Sequence, residues 1–331
     1  MDLAEFDYDL PKSMIAQRPP PTRDVSRLLV LSSSGIVHDT FKNLAAHLNE
    51  GDVLVLNDSK VVNAKLVGNK KTGGKVELLL LNPNGKETTC LIRGKKIREG
   101  TEIQIGDVTC EVTEKTEKGF KVRFDQEIKE IVDRYGEVPL PYYIKEPLES
   151  PERYQTVYAR SIGSVAAPTA GLHFTEELLE ALRKKGVKIA QLTLHIGPST
   201  FLPIREGKVN SHAVEPEHFF IDKENAEAIN QGIEDESLMV VGTSSVKALE
   251  SAAANGRVAE GEAESDLFIA PGYDFKVPIK GMITNFHLPR SSLLLLVCAL
   301  FGRERIFKAY SEAISRGYRF YSFGDAMLIM R

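Results

Sequence analysis

Three histidines stand where an apolar, strand-like run gives way to a turn or a helix. They are His173 in APTAGLHFTEE, His195 in LTLHIGPSTF and His287 in ITNFHLPRSS. The unperturbed pKa of histidine lies near neutrality, which suits proton transfer. A single loop histidine is more often structural or solvated than catalytic, but these are three of the seven histidines in the chain. We therefore expect them to line one cleft.

Other polar residues follow apolar runs in the same way. In GDVLVLNDSKV, Asn57 and Asp58 end a strand-like run, and Asp58 is a candidate base, a ribose-hydroxyl acceptor or an Asx-turn residue. In VVGTSSVKALE, Gly242 to Ser245 separate a strand from a helix. Hydroxyls and free N–H groups at a helix start suit a carboxylate or a phosphate. The alternative is ordinary N-capping by Ser244 or Ser245.

A proline-stiffened segment near the start carries several arginines. In AQRPPPTRDVSRLLVL these are Arg18, Arg23 and Arg27, with Asp24 among them. Guanidinium groups pair well with phosphates and carboxylates, so this segment could meet an anionic ligand. Surface solvation and an internal ion pair with Asp24 are the alternatives.

The sequence has two kinds of secondary-structure pattern, and these predict the elements that must position the polar residues. Short β-rich runs fill residues 61 to 124, with Gly, Asn-Gly or charged turns between them, which predicts a small antiparallel barrel or sandwich. Residues before 61 and after about 151 alternate strands with amphipathic helices, which predicts an α/β fold. We predict one discontinuous α/β catalytic domain, 1–60 plus 151–331, with 61–150 inserted as an all-β domain. Two consecutive domains are the alternative.

The β-rich segment is basic although the chain is not. Residues 61 to 124 hold thirteen Lys and Arg against eight Asp and Glu, while the whole chain has a formal net charge of −4. Such asymmetry can mark a module that faces a polyanion. The alternative is a solvated β-domain whose lysines protect its edge strands.

Several classes of protein lose support. Cys90, Cys110 and Cys298 are odd in number and widely spaced, so neither a zinc site nor a disulfide framework is indicated. The first residues, MDLAEFDYDLPKS, lack an apolar signal core, and the apolar run 293–301 is far shorter than the roughly 20 residues of a membrane span. We expect a cytoplasmic location and a buried helix at 293–301. Motifs of the types GxGxxG after a strand, GxxxxGK(S/T), HExxH and GxSxG are absent.

Long segments of the chain resemble one family. They include RDVSRLLVL, TGGKVELLLL, VYARSIGSVAAPTAGLHFT, VGTSSVKALES, GMITNFHLPRSSLLLLVCALFG and YRFYSFGDAMLI, and they extend nearly from end to end. The family is that of the S-adenosylmethionine:tRNA ribosyltransferase-isomerases of queuosine biosynthesis. The resemblance implies a monomer with a barrel-like α/β domain and an inserted barrel of Greek-key type. It also implies transfer and isomerisation of the ribosyl part of S-adenosylmethionine onto 7-aminomethyl-7-deazaguanine at the tRNA wobble position, giving epoxyqueuosine, adenine and methionine.

The implied reaction assigns tasks to residues. A base removes a proton beside the sulfonium, and the departing adenine benefits from protonation; we assign these tasks to His173, His195 and His287, with Asp58 next in order. Ring faces of Phe174 and Phe286 would stabilise the sulfonium or stack on a base. The full set of expected substrate contacts is Arg27, Asn57, Phe174, Gly242, Thr243, Ser244, Ser245, Asn285, Phe286, Arg290 and Ser291.

The resemblance also implies partners. The basic β-domain would contact the anticodon stem-loop of tRNA through Lys95, Lys96 and Arg98, so that affinity falls with salt. S-adenosylmethionine is consumed as a cosubstrate, and neither a metal nor another cofactor is required. We expect the carboxylate of the methionine part of S-adenosylmethionine to bind at Gly242 to Ser245, or at Arg290 with Ser291.

The chain departs from the family's pattern at a few positions. Around NSHAVEPEHFF the family has a His-x-Met-His-x-Glu core; His212 and Glu217 match its ends, whereas Val214 and Glu215 replace its Met and second His. Ser199 stands where glycine is usual, and the chain has no Trp. Two alternatives therefore stay open. One is a transferase of the same fold that acts on a different modified base or RNA, and the other is a non-catalytic RNA-binding relative.

Overall fold

The computed structural model describes residues 2–81, 83–198 and 215–331. The chain forms two compact units, Met1–Lys60 with Tyr142–Arg331, and Val61–Pro141. Residues 142–150, which the sequence pattern placed with the insertion, fold with the first unit.

The described residues contain nineteen strands and seven α-helices. In chain order the strands are β1 (Arg27–Ser32), β2 (Gly35–Thr40), β3 (Val53–Asn57), β4 (Ser59–Val61), β5 (Lys65–Lys70), β6 (Lys75–Leu80), β7 (Glu87–Arg93), β8 (Glu102–Ile105), β9 (Val108–Thr116), β10 (Gly119–Phe124), β11 (Ser161–Ser164), β12 (Lys188–Leu194), β13 (Glu217–Ile221), β14 (Leu238–Val241), β15 (Ala253–Ala254), β16 (Arg257–Val258), β17 (Gly261–Ser265), β18 (Gly281–Asn285) and β19 (Ala326–Met330). The helices are α1 (Leu44–His47), α2 (Ile128–Tyr135), α3 (Glu176–Lys184), α4 (Lys223–Glu234), α5 (Thr243–Ala252), α6 (Ser292–Phe301) and α7 (Arg303–Ser315).

A nine-stranded mixed sheet forms the centre of the first unit. Its order is β17-β13-β12-β3-β14-β18-β19-β1-β2. The four neighbours β12, β3, β14 and β18 are parallel to one another, and antiparallel strands flank them on both sides. The carboxyl ends of these four strands therefore lie at one edge of the sheet, where α/β proteins bind their ligands.

Alternating side chains of β3 fill two hydrophobic cores, one on each face of the sheet. Val53 and Val55 pack in a core shared with helices α4 to α7, and Leu54 and Leu56 pack in a core shared with α1 and α3. A strand with two covered faces is apolar throughout, which explains why GDVLVL reads as an unbroken apolar run. The run 293–301 forms most of α6 and contributes to the first of these cores, as predicted.

The second unit is a closed six-stranded antiparallel barrel of order β10-β7-β6-β5-β8-β9. Alternate residues of its strands fill one core, and α2 adds Ile128 and Ile131 to that core. The barrel closes where β5 meets β8, and a Cβ added at Gly68 would lie 2.6 Å from the carbonyl oxygen of Gln104. Only glycine permits this approach without displacement of the backbone. The predicted fold class, α/β with an inserted all-β barrel, is confirmed, and the α/β domain expected to be barrel-like is built on the nine-stranded mixed sheet.

Across the described ranges, no helix has both the length and the apolar character needed to cross a membrane.

Candidate active site

A cleft lies beyond the carboxyl ends of β14 and β18, within the first unit. It encloses about 660 Å³, part of it open to solvent. The residues that line it are Tyr143, Ala166, Ala167, Pro168, Thr169, Ala170, Ile196, Glu217, Gly242, Thr243, Ser244, Lys247, Thr284, Asn285, His287, Leu293, Tyr321 and Ser322.

The turn between β14 and α5 forms one wall of this cleft. Gly242 has a φ of 83°, a conformation that favours glycine, and it turns the chain directly into the helix. Gly242, Thr243 and Ser244 line the cleft as the sequence predicted. Ser245 does not line it, because its hydroxyl donates to the carbonyl oxygen of Val241 at 2.7 Å and is buried in the helix.

Asn57 fixes this wall from behind. Its Nδ2 donates to the carbonyl oxygen of Leu194 at 3.0 Å and to Oγ of Ser244 at 3.2 Å. Its Oδ1 accepts from the N–H groups of Leu194 at 3.1 Å and Ser59 at 3.0 Å. Asn57 thus uses both ends of its amide to tie the ends of β3 and β12 to the start of α5. It positions Ser244 and is not itself among the cleft-lining residues.

A buried ion pair occupies a second wall of the cleft. Nζ of Lys247, in the second turn of α5, lies 2.7 Å from Oε2 of Glu217, at the start of β13. The side chains are only 14% and 5% exposed. Oε1 of Glu217 also accepts from the N–H of Gly197 at 2.9 Å. The pair therefore brings two opposite, largely desolvated charges to the same cavity.

Thr169 and Asn285 belong to the third wall, and a directional series of hydrogen bonds supports them. The hydroxyl of Thr169 donates to Oδ1 of Asn285 at 3.1 Å, and Nδ2 of Asn285 lies 3.1 Å from Nε2 of His173. Nδ1 of His173 lies 3.0 Å from Oγ of Ser26, whose hydroxyl donates to the carbonyl oxygen of Arg23 at 3.3 Å. Every donor meets an acceptor if the proton of His173 is on Nδ1 and the ring is neutral.

The environment of His173 keeps its ring neutral. Burial lowers its pKa to about 4, against a smaller opposing influence of Asp325. The ring is 3% exposed and lies 5.0 Å from the ring of Phe41 between centroids. Of the residues in this hydrogen-bonded series, only Thr169 and Asn285 line the cleft. His173 therefore orients Asn285 from behind rather than contacting a ligand itself.

His287 lines the cleft directly. Its Nε2 lies 2.9 Å from Oγ1 of Thr284, its N–H donates to the hydroxyl of Tyr310 at 2.9 Å, and its carbonyl oxygen accepts from the hydroxyl of Tyr8. Burial lowers the pKa of His287 to about 3, so the imidazole is uncharged at neutral pH. Its Nδ1 has no hydrogen-bond partner within the parts of the chain that the structure describes, which leaves that nitrogen for a ligand.

His195 lies elsewhere. It follows β12, and its N–H donates to the carbonyl oxygen of His218 at 2.9 Å. The two imidazoles stack with centroids 5.9 Å apart, and a Cβ added at Gly163 would lie 2.7 Å from the ring of His195. Burial and the neighbouring His218 lower the pKa of His195. It is not among the residues that line the cleft.

Asp58 is held in a polar cluster outside the cleft. Its Oδ2 accepts from Nε of Arg160 at 2.9 Å, and its Oδ1 accepts from the hydroxyl of Thr193 at 2.6 Å. The carboxylate is buried, whereas Arg160 is 61% exposed. Both residues line a separate hollow of about 410 Å³. This arrangement suits a structural ion pair better than a base.

The two phenylalanines expected to offer ring faces are buried in the hydrophobic cores. Phe174 packs edge-on against Phe41, and Phe286 packs against Tyr310 and Phe320. Both side chains are 0% exposed. Phe174 directly follows the 3₁₀ helix that ends at His173, and Phe286 directly follows β18, so each ring enters a core next to a histidine that faces polar groups.

The expected arginine and serine contacts are also structural. Arg27 pairs with Asp325 at 3.2 Å and covers the ring of Tyr318 with its guanidinium 4.0 Å from the centroid. Arg290 pairs with Asp7 at 3.2 Å. Ser291 caps α6, because its Oγ accepts from the N–H of Leu294 at 3.3 Å. None of the three expected contacts, Arg27, Arg290 and Ser291, appears in the described lining of the cleft.

The expected RNA contacts lie together in the barrel unit. Lys95, Lys96 and Arg98 are exposed in the loop between β7 and β8. Lys96 has a φ of 55°, and the carbonyl oxygen of Lys95 accepts from Nζ of Lys70 at 2.6 Å. In the described residues no carboxylate pairs with these three side chains, so the loop presents three cations to solvent.

Several cleft residues were not identified from the sequence. Lys247 follows Ser244 by three positions, which on a helix places both on one face, and this spacing was the available signal. Tyr143 was assigned to the insertion, but its hydroxyl lies 2.5 Å from Oγ of Ser322 and its ring 4.2 Å from that of Tyr321 between centroids. The positions Ser199, His212 and Val214 lie outside the described residues.

Among the described residues, no group of three or more His, Cys, Asp or Glu side chains is arranged to hold a metal ion.

The chain is similar to proteins of one kind. A family model described as "Queuosine biosynthesis protein" matches residues 3–329. The S-adenosylmethionine:tRNA ribosyltransferase-isomerase of Carboxydothermus hydrogenoformans is 46% identical over 339 residues, covering 100% of both chains. That of Natranaerobius thermophilus is 44% identical over 342 residues, covering 99% of both. The crystal structure of the S-adenosylmethionine tRNA ribosyltransferase from Thermotoga maritima is 35% identical, with a TM-score of 0.57, and covers 98% of this chain and 100% of its own.

Proposed function

The chain belongs to the queuosine biosynthesis family of S-adenosylmethionine:tRNA ribosyltransferase-isomerases, and we propose that its reaction takes place in the cleft at the ends of β14 and β18. It is an enzyme that transfers the ribosyl moiety of S-adenosylmethionine to 7-aminomethyl-7-deazaguanine at the tRNA wobble position. It isomerises that moiety to an epoxycyclopentane, and it releases adenine and methionine. Its substrates are therefore tRNA and S-adenosylmethionine.

One observation carries the placement of the reaction. His287 is a neutral imidazole that lines the cleft, with Nδ1 available to a ligand and Nε2 beside Thr284. If Nε2–H donates to Thr284, Nδ1 keeps its lone pair and can accept a proton or a hydrogen bond from the substrate. We assign His287 to the proton transfer beside the sulfonium.

Asn285 supplies the second polar contact. One N–H of its amide is taken by His173, the other has no partner in the residues that the structure describes, and Thr169 holds the amide oxygen in place. An oriented amide donor is suited to stabilising an oxygen or a ring nitrogen that gains negative charge. Asn285 is therefore proposed to contact the ribosyl oxygens or the departing adenine, and His173 acts as its positioning residue.

The loop of Lys95, Lys96 and Arg98 is proposed to bind phosphates of the anticodon stem-loop. Its three exposed cations have no carboxylate partner among the described residues, and phosphate contacts of this kind provide most sequence-independent affinity. We further propose that the enzyme acts as a cytoplasmic monomer, and that its own side chains perform the reaction without a metal or a resident cofactor.

Mass spectrometry of the tRNA tests the proposed reaction. A tRNA that carries 7-aminomethyl-7-deazaguanine is incubated with the enzyme and S-adenosylmethionine, and its nucleosides are analysed. The expected result is epoxyqueuosine, with one adenine and one methionine released for each modified tRNA. Adenine release with a different modified base would indicate a transferase of altered specificity. Tight tRNA binding without any product would indicate a non-catalytic relative.

A further inference from the structure

The buried pair of Glu217 and Lys247 has a charge pattern that matches one end of S-adenosylmethionine. We propose that this pair binds the α-amino acid group of that cosubstrate, with Lys247 holding the carboxylate and Glu217 the α-ammonium. This inference rests on the proposed function, since it specifies how the same cleft recognises its donor.

Both charges face the cleft. The two side chains line it, lie 2.7 Å apart, and are almost withdrawn from solvent. The ammonium of Lys247 has three N–H donors, and in the described residues only one of them has a partner, Oε2 of Glu217. The carboxylate of Glu217 accepts from Lys247 at Oε2 and from the N–H of Gly197 at Oε1, and each of these oxygens has two acceptor sites. A zwitterion can therefore bind without breaking the existing pair.

The surroundings of Lys247 favour a carboxylate. Ser244 lies three positions before it on α5, so both side chains lie on one face of the helix. Free N–H groups at the start of a helix and the helix dipole attract an anion. The hydroxyl of Ser244 is held in place by Asn57 at 3.2 Å. Gly242, Thr243, Ser244 and Lys247 all line the cleft.

The carboxylate of Glu217 favours an α-amino acid group over a phosphate at this site. A phosphate dianion at this site would meet the carboxylate of Glu217 at close range, and the desolvated like charges would repel. An α-amino acid group places an ammonium next to its carboxylate, so it complements both members of the pair. The second wall of the cleft thus fits an amino acid end, and the wall with Asn285 and His287 is left for the reacting ribosyl group.

Contacts to the amino acid group of S-adenosylmethionine should affect the affinity for this cosubstrate. The amino acid group takes no part in bond breaking at the ribose, but binding energy from a non-reacting part of a substrate can position the reacting part. Loss of Lys247 should therefore raise the KM for S-adenosylmethionine more than it lowers kcat.

Paired changes in protein and ligand test the proposal. Binding of S-adenosylmethionine, of decarboxylated S-adenosylmethionine and of an analogue without the α-amine is measured by calorimetry. The wild-type enzyme should bind each truncated ligand about 10- to 100-fold more weakly than S-adenosylmethionine. The Lys247→Met variant should bind S-adenosylmethionine and its decarboxylated form with similar affinity. The Glu217→Gln variant should bind S-adenosylmethionine and the analogue without the amine with similar affinity.

Two further variants keep the test decisive. Lys247→Met leaves a buried carboxylate without its partner, which threatens folding. The double variant Glu217→Gln/Lys247→Met carries neither charge, and it should bind all three ligands with similar affinity. Lys184→Met, which removes an exposed lysine of α3, is the matched control and should discriminate as the wild type does.

The outcomes separate this inference from the proposed function. If the wild-type enzyme makes epoxyqueuosine but Lys247→Met and the double variant still discriminate against the truncated ligands, the pair does not bind the amino acid group. If the wild-type enzyme makes no product from S-adenosylmethionine, the proposed function itself is wrong.

Discussion

Nδ2 of Asn285 lies 3.1 Å from Nε2 of His173, and this contact links a buried histidine to the wall of the cleft. Because His173 holds the amide without lining the cleft, His173→Ala should lower kcat by about 10- to 100-fold through misplacement of Asn285. His173→Gln offers an acceptor oxygen near the position of Nε2 and should restore most of the rate. Single-turnover adenine release measures both variants.

The control for this prediction is His47→Ala, which removes a half-buried histidine of α1 that is paired with Asp39 of β2. It should leave the rate of adenine release unchanged. If His173→Gln is as slow as His173→Ala although both are folded, loss of the hydrogen bond to Asn285 does not explain the lower kcat.

Burial of two neutral histidines predicts how stability depends on pH. The folded-state pKa values of His173 and His287 are about 4 and about 3, below the unfolded value of about 6.5. The unfolded chain therefore binds more protons as the pH falls through 6.5, and the free energy of unfolding should drop by up to about 1.4 kcal/mol per pH unit for each histidine. The drop ends near each folded pKa. Above pH 7 this contribution should be constant.

Urea unfolding between pH 7.5 and 5 measures that slope. His173→Gln should reduce it by about 1 kcal/mol per pH unit, since one of the buried titrating groups is gone. An unchanged slope in this variant would show that His173 is protonated in the folded enzyme, contrary to its burial.

The barrel loop predicts the salt dependence of tRNA binding. Replacing Lys95, Lys96 and Arg98 by Glu should weaken tRNA binding and reduce the slope of log K against log salt by about 0.7 to 0.9 for each lost phosphate contact. Binding of S-adenosylmethionine should not change. Filter binding at several salt concentrations gives the slope.

Lys118→Glu is the matched control, because it reverses an exposed charge in the turn between β9 and β10 of the same unit. A slope that falls equally in this variant would mean that the charge of the barrel as a whole, rather than the loop, attracts tRNA.

Because Asp58 pairs with Arg160, replacing Asp58 should lower the stability of the fold rather than kcat. Asp58→Asn removes the charge that accepts from Arg160 at 2.9 Å and should lower the free energy of unfolding by about 2 kcal/mol. The kcat of the folded variant should stay within a few-fold of the wild type. A normal urea transition together with a collapse of kcat would instead identify Asp58 as the base.

Much of the fold was predictable because its signals are local. Two-sided burial makes β3 apolar throughout, and short alternating runs around turns mark the barrel. The polar turn from Gly242 to Ser244 was recognisable for the same reason, since a glycine with positive φ and hydroxyls at a helix start follow one another in the chain.

The rest of the site depends on which way side chains point. Phe174 and Phe286 adjoin functional histidines in sequence but enter the cores, and Arg27 and Arg290 find carboxylates far away in the chain. The spacing from Ser244 could place Lys247 on the right face of α5, but not its pairing with Glu217, which lies 30 positions earlier in β13. Long-range pairings of this kind leave no pattern in one sequence.

The most direct test of the account compares the wild-type enzyme with His287→Ala in a single turnover on tRNA that carries 7-aminomethyl-7-deazaguanine. Products are followed by mass spectrometry, and S-adenosylmethionine binding is measured in parallel. We predict epoxyqueuosine from the wild type, and from the variant a rate at least about 100-fold lower with little change in cosubstrate affinity. Product formation by His287→Ala at the wild-type rate would contradict the placement of the reaction in this cleft.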